Sequence, residues 1–192
     1  MVTMRELSVA LYGVWRFAML DRTAVQFFDN TPSAFWKSFN AAWLALPAYA
    51  LLVLLSFTQH PVEAGPLRIL SIEVISYVIG WVLFPLVIIA FTDKTRSAQY
   101  YFRFIAAWNW AIVPQAYVFL CISAFSASGT VPDNLGGLLS LIATLPIFFY
   151  QGFIAKTLLD VTVPVAVMVV VIDLAIAIGL SMISRSLYIN VA

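Results

Sequence analysis

Hydrophobic residues in this chain are gathered into long runs instead of alternating with polar ones. A helix that crosses a bilayer needs about 20 mostly apolar residues. Five stretches meet this requirement and are the predicted transmembrane helices: 34–57, 69–91, 104–125, 135–158 and 163–183. The segments between them are too short to fold alone. The pattern therefore predicts a single all-α domain over 1–192, a polytopic transmembrane helical bundle.

The first 20 residues show a different, amphipathic pattern over 4–20. Apolar side chains recur there at helical spacing: Met4, Leu7, Leu11, Val14, Trp15 and Ala18. Polar side chains fall on the opposite face: Arg5, Ser8, Tyr12 and Arg16. Tryptophan on one side and arginine on the other is typical of a helix in the membrane interface. We expect this helix to lie along the headgroups, to pack against the cytoplasmic ends of the bundle, or to do both.

Composition supports a membrane environment. Hydrophobic residues make up 63% of the chain, charged residues 10%, and the mean hydropathy is +0.98. Soluble domains are about half apolar and a quarter charged, so these residues cannot cover a fold of this size in water. The expected partner is the lipid bilayer. The net charge of +1 and the absence of a basic block give no reason to expect a nucleic acid.

The distribution of lysine and arginine predicts the orientation, because cytoplasmic loops are enriched in these residues. Eight of the ten fall on one side of the predicted spans: Arg5, Arg16, Arg22, Lys37, Lys94, Arg96, Arg103 and Lys156. Only Arg68 and Arg185 fall on the other side. The N-terminus is therefore expected in the cytoplasm, and five spans would place the C-terminus outside.

Residue types that carry common cofactors and enzyme chemistry are scarce. One cysteine, Cys121, and one histidine, His60, argue against a haem, zinc or iron–sulfur site. Nucleophile-elbow, phosphate-loop, HExxH and CxxC motifs are missing. We therefore expect no cofactor, no metal and no catalytic residues, and interpret the chain as a non-enzyme.

Asp173 is the main candidate for function, since an ionisable group in hydrocarbon costs a few kcal/mol. It lies ten residues after Val163, so about 15 Å deep at the helical rise. Gln115 lies eleven residues after Phe104 on a helix running the same way, so at nearly the same depth. Asp173 and Gln115 thus form a predicted intramembrane polar site. It would either pin two helices together or handle an ion or proton.

Two further polar groups are predicted nearer the membrane surfaces. Glu73 lies about one turn inside its span and is interpreted as a rim residue that reaches water, Tyr77 or Arg68. A possible cytoplasmic-side polar layer consists of Asn40, Asn109, Tyr150 and Gln151. Such side chains either hydrogen-bond between helices or line a shallow cavity.

The five-span plan with an amphipathic lead resembles the Yip1-like superfamily of small membrane proteins. Locally, Ala107-Trp108-Asn109-Trp110 and the segment 153–157, FIAKT, are similar to a family of small uncharacterised bacterial inner-membrane proteins. This resemblance implies a bacterial cytoplasmic membrane and no particular activity. The DLYGP-type signature of the eukaryotic members is absent, so a trafficking role does not follow.

Two functional hypotheses come from these patterns. The first is a non-enzymatic accessory or scaffold subunit that associates laterally with other membrane subunits or with itself. Short loops and small residues such as Ala175 and Gly179, which favour close helix contacts, support it. The second is a small proton- or cation-coupled carrier or channel that uses Asp173. A cavity reaching Asp173 would favour the second, and a dry, satisfied hydrogen bond the first.

Overall fold

The structure is a computed structural model that describes residues 2–59, 64–94, 97–128 and 133–189. Its helices are α1 (Met4–Ala18), α2 (Pro32–Ser38), α3 (Ala41–Gln59), α4 (Pro66–Lys94), α5 (Tyr101–Ala127), α6 (Asp133–Leu159) and α7 (Val163–Ile189). Short 3-10 helices cover Arg22–Phe27 and Ala98–Tyr100. The described residues form no strand, so the all-α prediction is confirmed for them. His60 and Arg96 lie outside the described residues.

Helix α1 begins with a capping box and ends two residues earlier than predicted. The Glu6 backbone N–H donates to Thr3 Oγ1 at 3.2 Å, and the Thr3 backbone N–H donates to Glu6 Oε2 at 2.8 Å. Leu20 adopts a φ of 59°, a left-handed conformation that cannot continue the helix. The chain therefore turns away at this point into the 3-10 helix.

Helix α1 packs against the bundle through a face that only partly overlaps its predicted apolar stripe. Its buried residues are Ala10, Gly13, Val14 and Phe17. By contrast, Met4 is 81% exposed and Trp15 is 60% exposed. A β-carbon on Gly13 would lie 2.7 Å from the Phe28 ring, so glycine lets the following segment approach closely. The helix thus has one face against the protein, one apolar free face and one polar face.

The first predicted span, 34–57, is divided in the structure into α2 and α3. Thr31 caps α2 as its hydroxyl accepts from the Ala34 backbone N–H at 3.2 Å. The break follows at Phe39 and Asn40. There the Ser38 hydroxyl donates to Phe35 O and the Asn40 amide donates to Lys37 O, so side chains occupy carbonyls at the end of α2.

Four regions of the described chain are long and apolar enough to cross a membrane: Pro32–Thr58, Pro66–Lys94, Ala98–Ala127 and Val163–Tyr188. They correspond to four of the five predicted spans and indicate a multi-pass membrane protein. The remaining predicted span, 135–158, lies within α6, which is 27 residues long.

Helix α5 lies at the centre of the bundle. It packs against α2, α3 and α6, and also contacts α1 and α4, while α7 packs between α4 and α6. The most buried side chains cluster in the half of the bundle nearest α1: Phe84, Phe104, Ile105, Trp108, Ile154, Leu158 and Val169. We call this half the α1 end. The α1 end is thus dense, and a cavity lies towards the other end.

Candidate functional site

Asp173 lies in a cluster of polar side chains contributed by three helices. The Gln151 amide nitrogen lies 3.4 Å from Asp173 Oδ2 and 3.2 Å from Gln115 Oε1. The predicted pair of Asp173 and Gln115 is therefore brought together, but Gln151 on α6 lies between them and is the donor. Gln151 is eight residues from the end of α6, about 12 Å deep, which is close to the depth of Asp173.

The cluster contains polar atoms that no described residue satisfies. Trp108 Nε1, Gln115 Nε2 and Gln151 Oε1 are buried and have no hydrogen-bond partner among the described residues. The Trp108 indole also neighbours the Asp173 carboxyl without reaching hydrogen-bond geometry. A buried unsatisfied group costs about 1–3 kcal/mol. The arrangement thus leaves donors and an acceptor available beside the carboxyl group.

A cavity of about 760 Å³ extends from Asp173 towards the end of the bundle opposite α1. Its walls come from α3, α4 and α7, with Ile112 of α5 behind them. Most of the lining is apolar. Among the residues that the structure describes, its ionisable groups other than tyrosine are Glu73, Asp173 and Arg185. A largely apolar cavity of this size with a few convergent polar groups is typical of a small-molecule site.

Glu73 lies at the mouth of this cavity and binds two tyrosines. Tyr49 Oη of α3 donates to Glu73 Oε2 at 2.5 Å, and Tyr188 Oη of α7 donates to Glu73 Oε1. The expected partners bind elsewhere: Tyr77 Oη donates to Ala42 O, and Arg68 donates to Leu187 O. Glu73 therefore joins three helices at the mouth.

Helices α4 and α7 run antiparallel along one wall of the cavity, which relates the depth of Glu73 to that of Asp173. The Ser76 and Ser184 hydroxyls are 2.8 Å apart, and a β-carbon on Gly80 would lie 3.7 Å from Leu180. Asp173 is eleven residues from Ser184, so about 16 Å deeper at the helical rise. The cavity thus connects a carboxylate at its mouth with one near mid-depth.

The four side chains of the possible cytoplasmic-side layer are separated in the structure. The Asn109 amide donates to Ser38 Oγ at 2.9 Å, in a buried contact between α5 and α2. The Tyr150 hydroxyl donates to Val14 O of α1 at 3.1 Å, and the Asn40 amide donates to Lys37 O at the end of α2. Gln151 belongs with Asp173. No hydrogen bond between described residues joins these four side chains to one another.

Ion pairs hold α1 to its surroundings at the α1 end. Lys37 Nζ of α2 lies 2.5 Å from Glu6 Oε1, and Arg16 pairs with Asp21. The hydrogen bond from Lys37, with bonds from Thr3, lowers the pKa of Glu6 from 4.5 to about 2. Lys37 and Glu6 thus link the amphipathic helix to the start of the first span.

We predict that acid weakens the attachment of α1. The folded-state pKa of Glu6 is below its ordinary value, so its stabilising contribution is present at neutral pH and is lost as the pH falls from about 4.5 through about 2. Because the pair is exposed, hydrogen exchange in α1 should rise by at most about fivefold. Comparing the protein with Glu6→Gln at each pH removes the intrinsic pH dependence of exchange. The same pH response in both proteins would contradict the prediction.

The residues that line the cavity recur at helical spacing in the sequence, a pattern that intramembrane charges alone do not reveal. Glu73, Tyr77 and Trp81 recur every four residues on α4 and line one wall. On α7, the cavity-lining residues recur at helical spacing: Asp173, Ala177, Leu180, Ser181, Ser184 and Tyr188. A polar stripe inside an apolar span predicts a face turned away from lipid.

No protein-family model, curated protein or solved structure matches this chain. The resemblance to Yip1-like proteins stays a prediction. The features that bear on function are the cavity, the carboxyl groups at its two ends and the packed half of the bundle beneath it.

Proposed function

We propose that this protein is a small proton- or cation-coupled carrier or channel in which Asp173 is the intramembrane site. The cavity that joins Glu73 to Asp173 is the observation that carries the proposal. A carboxyl group near the middle of a bundle is costly to bury, and such groups typically mark an ion pathway or bind a partner. Here it is reached from one side, and its hydrogen bond to Gln151 is long, at 3.4 Å.

The dense packing at the α1 end supports a site that is open towards one side. Beyond Asp173, aromatic and aliphatic side chains of α5, α6 and α7 fill the bundle, including Trp108 at 2% exposure. A solute bound at Asp173 would have to wait for this half to rearrange before leaving through it. Prolines inside α3, α4, α5 and α6 free backbone groups and give these helices places to bend.

We also propose a topology with five membrane spans. We take α6 as a fifth span because its length of 27 residues exceeds the requirement for crossing. With the lysine and arginine bias, this puts the N-terminus in the cytoplasm and the cavity mouth on the periplasmic side of a bacterial inner membrane. Helix α1 then lies in the cytoplasmic interface, with Trp15 towards lipid and Arg5 towards water.

Filling the cavity is the direct test. We expect Gly80→Leu to place a side chain in the cavity and reduce the dissipation of imposed proton or Na⁺ gradients in proteoliposomes at least about tenfold. Gly179→Leu is the matched control, since Gly179 is on the same bundle but has nothing within 4 Å of its β-carbon position. Wild-type vesicles that leak no faster than protein-free vesicles, or a Gly80→Leu variant with full flux, would contradict the proposal.

The accessory-subunit hypothesis is the second candidate. One observation favours it: the predicted small-residue face of α7 is open in the described chain, because Ala175 is exposed and a β-carbon on Gly179 would meet no side chain of another helix within 4 Å. Such a face suits a helix of another chain. Purification in mild detergent as a lone monomer, without a co-purifying protein, would count against this candidate.

A further inference from the structure

Aromatic rings form a continuous wall along the cavity below Glu73. The Tyr49 and Tyr77 ring centroids are 4.6 Å apart, and those of Tyr77 and Trp81 are 6.1 Å apart. All three residues line the cavity. Electron-rich ring faces attract cations, most strongly when water is excluded.

The charges along this wall favour a single positive charge in the ligand. The lining carries two carboxyl groups, Glu73 and Asp173, and one guanidinium, Arg185. Arg185 is next to Ser184 in the sequence and so lies nearer the mouth than Asp173. The deep end therefore has a carboxyl group with no cationic side chain among the described lining residues.

The surroundings of Asp173 suit an organic cation better than a bare metal ion. Its neighbours are two amides and an indole. Small hard cations take six or more oxygen ligands, whereas most of this cavity is apolar. Trp81 lies near the level of Leu180, so about 10 Å separates it from the level of Asp173 at the helical rise. This distance is long enough for an organic cation whose single charge is surrounded by apolar substituents.

We propose that the cavity binds hydrophobic organic monocations, of the class of quaternary ammonium, phosphonium or protonated aryl amines, between the rings of Tyr77 and Trp81 and the carboxyl group of Asp173. The inference rests on the proposed function and names its substrate class. The apolar walls bury the arms of the cation, the rings stabilise its charge on the way in, and Asp173 neutralises it.

Binding of radiolabelled tetraphenylphosphonium to the full chain in detergent tests this inference. Tetraphenylborate, an anion of nearly the same shape, is the matched ligand, and protein-free micelles correct for partition into detergent. We expect saturable binding of the cation that unlabelled cation displaces and tetraphenylborate does not. Trp81→Leu should weaken it about tenfold, whereas Trp81→Phe should retain most of it.

Control variants separate local effects from misfolding. Trp43→Leu changes an exposed tryptophan outside the cavity and should leave binding unchanged. Gly80→Leu should block phosphonium binding by filling the cavity, while all three aromatic rings of the wall remain. Equal binding of the borate anion, or unaltered affinity in both Trp81→Leu and Gly80→Leu, would overturn the inference.

The outcome is distinguishable from failure of the carrier itself. Proton or Na⁺ flux without phosphonium binding would reject the substrate class and leave the carrier intact. Phosphonium binding with the expected dependence on Trp81, but without flux of any tested ion, would leave the binding site intact and reject transport.

Discussion

Replacing Asp173 by asparagine is expected to reduce flux in proteoliposomes by at least about 30-fold while the protein stays folded. Asparagine has nearly the same shape and can still accept from Gln151, but it carries no charge and exchanges no proton. In the proposed carrier, Asp173 is the anionic partner of the bound cation. Removing one partner of a desolvated charge pair costs about 2–5 kcal/mol, which corresponds to a reduction of about 30-fold or more. The measurement is the initial rate of gradient dissipation at matched protein density.

The matched control for this variant is Asp160→Asn. Asp160 is exposed and follows α6, and its φ of 54° is a conformation that asparagine tolerates well. It should keep wild-type flux. A fully active Asp173→Leu variant would refute the role of Asp173, since leucine can neither bind a cation nor carry a proton.

Replacing Trp108 by alanine is expected to destabilise the bundle by at least about 2 kcal/mol. Trp108 stacks on Phe84, with ring centroids 4.7 Å apart, and is 2% exposed. In soluble cores such a truncation costs about 3–5 kcal/mol. Part of that cost is transfer from water, which is small where the alternative is lipid, but the lost packing contacts remain.

Denaturation in mixed micelles with increasing sodium dodecyl sulfate measures this free energy of unfolding. Trp43→Ala provides the control, because Trp43 is 74% exposed and should change stability by less than about 1 kcal/mol. Similar losses in both variants would mean that the dense packing at the α1 end does not stabilise the bundle more than an exposed side chain does.

Length and hydrophobicity predicted the helices of this protein well, because a span must satisfy its backbone internally and leaves a long apolar run. The break between α2 and α3 was missed. Ser38 and Asn40 end α2 there, because their side chains donate hydrogen bonds to backbone carbonyls. The surrounding residues are apolar, so hydrophobicity alone predicts one continuous helix. The pattern also does not show which face of α1 packs against the bundle, because Ala10 and Gly13 allow close packing through their small size and not through hydrophobicity.

Depth along each helix was the most useful guide to the candidate site. It places Gln115 at the level of Asp173, and it would place Gln151 at a similar depth, although Gln151 was grouped with the predicted cytoplasmic-side layer. Counting residues gives depth and not direction, so it cannot tell which side chain points inward. Counting residues also cannot predict the cavity, because the cavity depends on the distance between α3 and the pair of helices α4 and α7.

The close contact at Gly13 limits how this chain can change. A methyl group there would lie 2.7 Å from the Phe28 ring and 2.8 Å from the β-carbon of Phe27, so a bulkier residue requires a displaced α1 together with a smaller residue at position 28. Positions 13 and 28 are therefore coupled in any divergent copy of the protein. This pair of positions could identify distant homologues whose hydrophobic spans have diverged too far to be aligned.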